Sequence, residues 1–158
     1  MVKNMRRDDR QVTDQSEIFD ILQRCTTITL GMNGDGFPYL IPMTFGCKME
    51  DGGITVYIHS AGAGRKWEIL QNDPRVTVEA HLYDRVEQTG GGITAKYESV
   101  IGTGCAVRLT EVSDKVAAFK IMLDHYDHSG FPVTSCHGLS RSEVFEIRLD
   151  EVSGKRNL

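Results

Sequence analysis

The sequence predicts a mainly β protein with flanking helices, built as a closed or nearly closed antiparallel barrel. Three observations carry that expectation. Stretches of alternating apolar and polar residues recur along the chain, hairpin-turn signatures join several of them, and helical spacing is confined to a few short segments. The 158 residues suit one domain spanning 1–158, with an N-terminal arm over 1–12 and a C-terminal tail over 150–158.

Asp14, with Glu17 three residues later, resembles a capping box, and Ile18, Ile21 and Leu22 then share a helical face that ends near Arg24. Thr26 to Met32 reads as a strand, Asn33-Gly34-Asp35-Gly36 as a hairpin turn, and Pro38 to Lys48 as the return strand. Pro42 inside that strand points to an edge, a bulge, or an opening towards a ligand, because proline brings no N–H to a ladder. After the turn at Asp51-Gly52-Gly53, Ile54, Val56 and Ile58 alternate against Thr55, Tyr57 and His59. Ala61 to Gly64 opens into a short helix carrying Trp67 and Leu70, which Asn72-Asp73-Pro74 stops. Val76 to Leu82 alternates again.

Asp84 to Thr94, polar and containing Gly90-Gly91-Gly92, is expected to be the most mobile loop. Tyr97 to Leu109 forms a long strand whose Gly102 and Gly104 signal a bend or close backbone approach. Ser113 is placed as the cap of a helix with the stripe Val116, Phe119, Leu123 and Tyr126. Residues 127–140 are irregular, and Val144 to Leu149 is the last strand. The expected order is helix, three strands, short helix, two strands, helix, strand.

Composition removes several function classes. Hydrophobic residues at 40% and charged residues at 25% exclude a disordered tail, and no apolar run approaches the roughly 18 residues of a spanning helix. The charged start, with Arg6-Arg7, lacks the apolar stretch of a secretion signal, so a cytoplasmic location is the default expectation. A net charge of −4 gives no global attraction to nucleic acid. Cys25, Cys47, Cys105 and Cys136 lie far apart and read as small core residues or stray thiols. Arg6, Arg7 and Arg10 alternate with Asp8 and Asp9 as a self-compensated, solvated arm.

The chemistry concentrates in His59-Ser60-Ala61-Gly62-Ala63-Gly64-Arg65-Lys66. Small residues between a strand and a helix let successive N–H groups face one point, and the helix start favours an anion. Arg65 can fork onto phosphate oxygens, Lys66 adds a mobile charge, and Ser60 offers a further hydrogen bond. This is a phosphate cradle, distinct from a Walker loop because Trp67 follows Lys66. A plain strand-to-helix turn bearing two solvated basic residues is the alternative.

MRRDDRQVTD at residues 5–14, PYLIPMTFG at 38–46, YIHSAGAGRKWEIL at 57–70, NDPRVTVE at 72–79 and KYESVIGTG at 96–104 occur in this order. Together they resemble the FMN-binding split-barrel, or pyridoxamine 5'-phosphate oxidase-like, superfamily, and within it the nitroimidazole-resistance-type proteins. The resemblance runs from Met5, a candidate natural start, to about Leu109, and more weakly through the last strand. It implies an FMN phosphate on His59, Ser60, Arg65 and Lys66. The flavin ring would lie along Pro42, Met43, Thr44 and Phe45, with Tyr97, Glu98, Ser99 and Val100 closing the site, often from a second subunit of a homodimer. It further implies a flavin-dependent oxidoreductase acting on a small substrate, a nitroaromatic by resemblance, with NAD(P)H as electron donor. Enzymes that oxidise pyridoxamine phosphate carry an Arg-containing C-terminal motif, and the few residues after Leu149 make that substrate unexpected. Deazaflavin and heme are alternative ligands of the same fold, and a non-catalytic carrier or sensor is the alternative role.

His59 borders the cradle and titrates near neutrality, which makes it the candidate catalytic residue. His125, His128, Cys136 and His137 match no closed zinc spacing, so no metal site is expected. Trp67 and Leu70 read as core, and Tyr97 as barrel wall or interface.

Overall fold

Asp14 opens the first helix as its sequence context predicts. Its carboxylate accepts from the N–H groups of Ser16 (2.8 Å) and Glu17 (3.1 Å), and α1 spans Gln15–Arg24. Ile18, Ile21 and Leu22 are buried from it, a burial that contributes roughly 1.5–3 kcal/mol each. The computed structural model describes residues 5–158. Two further helices follow, α2 over Arg65–Asn72 and α3 over Val112–His125.

The strands are β1 (Gln11–Val12), β2 (Ile28–Met32), β3 (Tyr39–Met43), β4 (Gly46–Glu50), β5 (Gly53–Ala61), β6 (Arg75–Thr89), β7 (Gly92–Leu109) and β8 (Ser142–Asn157). They pair antiparallel in the order β3-β2-β6-β7-β8-β5-β4, with β1 added to β8. The two edges of this path, β3 and β4, are consecutive in sequence and separated only by Thr44 and Phe45. The sheet must therefore curl until its edges almost meet at that crossing. Helix α1 touches β4 and β5 as well as β6 and β7, contacts that only a rolled sheet brings together. The architecture is a split barrel. One apolar core fills it, with Phe45, Leu30, Ile58, Val78, Val100 and Ile147 among the fully buried side chains.

Several sequence expectations are corrected. The return strand proposed over Pro38 to Lys48 is two strands, broken where the chain crosses from one sheet edge to the other. Pro42 does lie on an edge strand, paired only with Thr29 of β2. The loop expected at Asp84 to Thr94 is a paired hairpin that turns only at Gly90-Gly91, after a bulge near Asp84. Residues 150–157 are no tail: β8 continues through them and pairs with β7, and its last turn also holds β1. The arm over 1–12 is likewise in part structure, since Val12 is buried; its first four residues lie outside the described ones.

Helix α3 starts two residues earlier than expected, at Val112 with Glu111 before it, and buries Ala118 and Met122 most fully, while the expected stripe is only partly buried. Short side chains let it lie close on the sheet: a Cβ on Gly46 would stand 2.7 Å from the Met122 backbone. Cys25 and Cys47 are buried, and burial pushes their thiols up to about 11 and about 12, so both stay protonated. No helix among the described residues is long and apolar enough to cross a membrane.

At the β7–β8 register shift, a Cβ on Gly104 would lie 2.3 Å from the Arg148 carbonyl oxygen. Gly104→Ala must displace the ladder and is expected to cost roughly 1–3 kcal/mol. Gly90→Ala, facing open space, should leave the melting temperature unchanged. Thermal unfolding of the two variants checks the contrast, with a loss of about 3–10 °C expected for the first alone.

Candidate functional site

Strand β5 delivers His59 and Ser60 to the mouth of the cradle, and Gly64, at φ 94°, turns the chain into α2. That left-handed conformation is open to glycine at little cost. No side chain caps α2, so the N–H groups of its first turn face the opening with no protein carboxylate or hydroxyl upon them.

Lys66 is half-buried, and among the described residues its ammonium has only the Met43 sulfur, 3.2 Å away, as a partner. Burial holds its pKa below the usual lysine range. His59 Nδ1 is buried and has no hydrogen-bond partner, while its ring packs 5.6 Å from that of Phe119 on α3. Burial, and then the Lys66 charge, lower the His59 pKa from its ordinary 6.5. A cationic and a polar group are thus desolvated side by side without a protein anion. Such an arrangement fits an anionic ligand better than an empty turn.

Arg65 remains exposed, with its guanidinium 4.8 Å from the Tyr39 ring centre, and is free to fork onto an anion. Ser60 does not face the opening as expected. It is buried and donates to the Ala61 carbonyl oxygen at 2.9 Å. Sequence reasoning also missed the Glu143 carboxylate, which lies beneath Gly62 on the neighbouring strand. Arg108 neutralises it through a bidentate pair at 2.6 and 2.9 Å, while its guanidinium also lies over Trp67, so the floor of the cradle is not repulsive to an anion. Only the β5–β8 register could have revealed that neighbour.

The structure divides the ring-facing segment. Pro42 and Thr44 are exposed, whereas Met43 and Phe45 are buried. The Phe45 N–H already donates to Tyr126 Oη at 3.1 Å. Tyr97 to Val100 divides in the same way. Val100 belongs to the core, and Glu98 is buried between Arg24 and Arg156, each 2.6 Å away, so only Tyr97 and Ser99 lie on the outer face. That paired carboxylate fastens α1 to β7 and β8 and is structural.

Among the described residues no three His, Cys, Asp or Glu side chains converge as a metal site would require. His125 is engaged elsewhere, with Nε2 2.8 Å from the Cys25 carbonyl oxygen.

The profile of the pyridoxamine 5'-phosphate oxidase family matches residues 14–156, nearly the whole chain. The chain belongs to this family. Among solved structures, the family member is similar to a candidate 5-nitroimidazole antibiotic resistance protein from Bacteroides thetaiotaomicron, at 24% identity and TM-score 0.80, covering 92% of this chain and 85% of that one. It is also similar to the flavocytochrome Anf3 from Azotobacter vinelandii, at 19% identity and TM-score 0.79, over 98% and 72% of the two chains. A FAD-binding protein from Mesorhizobium loti matches at 21% identity and TM-score 0.66, over 94% and 98%. At these identities the likeness establishes the split-barrel fold of the family. No curated protein matches the chain significantly.

The lowered His59 pKa has a sign that can be tested. Below 6.5 the unfolded chain takes up a proton that folded His59 resists, so its stabilising contribution is complete above 6.5 and lost as pH falls through the folded value. Melting temperatures between pH 7.5 and 5 should therefore fall less in His59→Gln than in wild type.

Proposed function

We propose that this family member is an FMN-binding oxidoreductase that works as a twofold dimer. The observation that carries the reading is the unpartnered, buried His59 Nδ1 beside the half-buried Lys66 ammonium at the uncapped start of α2. Those groups match a dianionic phosphate ester, with Arg65 closing over it from solvent. The exposed strip of Pro42 and Thr44 then offers the ring of the cofactor a flat wall. A bound flavin supplies reversible uptake of one or two electrons, here from NAD(P)H to a small, flat acceptor such as a nitroaromatic.

The chain's own residues do the rest. Lys66 and Arg65 bind the phosphate, His59 holds a proton position at the cradle's rim, and Met43 and Phe45 seal the ring-facing strand from the core side. The FAD-binding and nitroimidazole-resistance likenesses support a flavin and a nitroaromatic acceptor in this reading.

The outer face of β3-β2-β6-β7 supports the dimer. It exposes Leu40 (64%), Tyr83 (64%) and Ile101 (50%), and a cavity of about 620 Å³ opens there between Gly31, Leu40, Thr77 and Thr103. Tyr97 and Ser99 lie on this face, turned away from the core. A second copy seated on it would enclose these groups and complete a site that one chain leaves open.

Purified wild-type protein is expected to show flavin absorption bands, or to gain them with added FMN, and to oxidise NADPH or NADH when a nitroimidazole is present. Arg65→Ala/Lys66→Ala should weaken FMN binding by at least about a hundredfold, as two charge-assisted contacts of ~1.5–3 kcal/mol each imply. A wild type that binds flavin without nicotinamide oxidation would favour a carrier or sensor, and one that binds none would end the flavin reading. Light scattering should give a dimer mass for wild type and a monomer mass for Ile101→Glu.

A further inference from the structure

Helix α3 ends at the crossing where the two sheet edges meet. The Tyr126 hydroxyl donates to the Thr26 carbonyl oxygen at 2.8 Å and accepts from the Phe45 N–H at 3.1 Å. Its neighbour His125 reaches the Cys25 carbonyl oxygen through Nε2, and its ring lies 4.3 Å from that of Phe45. One turn earlier, Met122 rests against Gly46, where no Cβ would fit. Met122, His125 and Tyr126, on one face of the end of α3 and its cap, therefore grip the chain just before β2 and at the β3–β4 crossing.

We propose that Tyr126, seconded by His125, is a positioning residue for the cofactor strand. The inference rests on the flavin reading above. Thr44 is exposed in the crossing, and the two residues beside it, Met43 and Phe45, are both buried. With the Phe45 N–H committed to Tyr126, that donor is withheld from any ligand, and the orientation of the Thr44 peptide is set by a side chain more than eighty positions away in the sequence. Both partners of the phenol are backbone groups, so replacing neighbouring side chains leaves the clamp intact. Removing the hydroxyl leaves a buried N–H without a partner and frees the crossing to shift.

The phenol is suited to this task across the working pH range. Burial raises its pKa above the usual tyrosine value, so the hydroxyl stays protonated and keeps both of its bonds at once. Residues 133–135, following α3, pack back on the helix with Val133 buried, so its C-terminal end is held from outside as well.

Tyr126→Phe keeps the ring and removes only the hydroxyl, and the test has two arms. In the protein free of flavin, amide deuterium exchange at Phe45 should accelerate by at least about tenfold over wild type, as loss of a protected buried bond requires. In the FMN titration, Kd should rise roughly fivefold, the factor carried by one lost hydrogen bond. Gly154→Ala serves as a control, because a Cβ there would crowd Val12 and Ile18 at the β1 end of the barrel, away from the crossing and the cradle, and it should leave Kd unchanged. Unaltered exchange at Phe45 would overturn the clamp. Faster exchange with an unaltered Kd would overturn the positioning role, as would an equal rise in Kd for Gly154→Ala. A wild type that takes up no flavin would overturn the flavin reading, while the exchange arm would still decide whether Tyr126 holds the crossing.

Discussion

The structure depends on a connection too short to choose its path. Only Thr44 and Phe45 separate β3 from β4, yet these strands are opposite edges of an otherwise continuous sheet. The three steps from Met43 to Gly46 span at most about 11 Å. A flat sheet with five strands between those edges would set them far further apart, since neighbouring strands stand about 4.8 Å from one another. Curling follows, and with it the core inside the roll and the seat of α1 across several strands. Phe45, fully buried at that crossing, is thus both the hinge of the topology and a plug of the core.

Local chemistry was legible wherever one residue decides its own conformation. The Asp14 cap, the turns at 33–36 and 51–53, the alternation in β5 and the entry to α2 all follow from side chains within a few positions of each other. What stayed hidden was set by distant pairing. Residues 84–94 look like a loop because they are polar, but the strand residues there, apart from Asp84 at the bulge, find ladder partners across the hairpin. Residues 150–157 look like a tail for the same reason, and become strand because β7 and β1 flank them.

The site divides along the same line. The glycines, Arg65 and Lys66 are readable because a phosphate-sized opening needs small residues followed by cations. The resemblance carried Tyr97 to Val100 over as one segment, and only the register of β7 with β6 and β8 shows that Glu98 faces inward, where Arg24 and Arg156 hold it. Ser60 is a different case: it continues the Ile54, Val56 and Ile58 face of β5, so its burial was legible from alternation and was passed over for its hydroxyl. Tyr126 was read as part of an apolar stripe, since nothing within its own helix reveals that its hydroxyl ends between two strangers to that helix.

Strand β8 carries one more consequence. It lies between β5 and β7, holds β1 at its far end, and is drawn from residues 142–157. During synthesis, β2, β3, β6 and β7 can assemble as hairpins while β4 and β5 wait as a separate pair. Nothing joins the two groups through the sheet until the last sixteen-residue strand leaves the ribosome. Barrel closure therefore waits for β8, and a nascent chain stalled short of that strand leaves β5 and β7 as open sheet edges, the kind of surface that chaperones bind and that aggregates grow from.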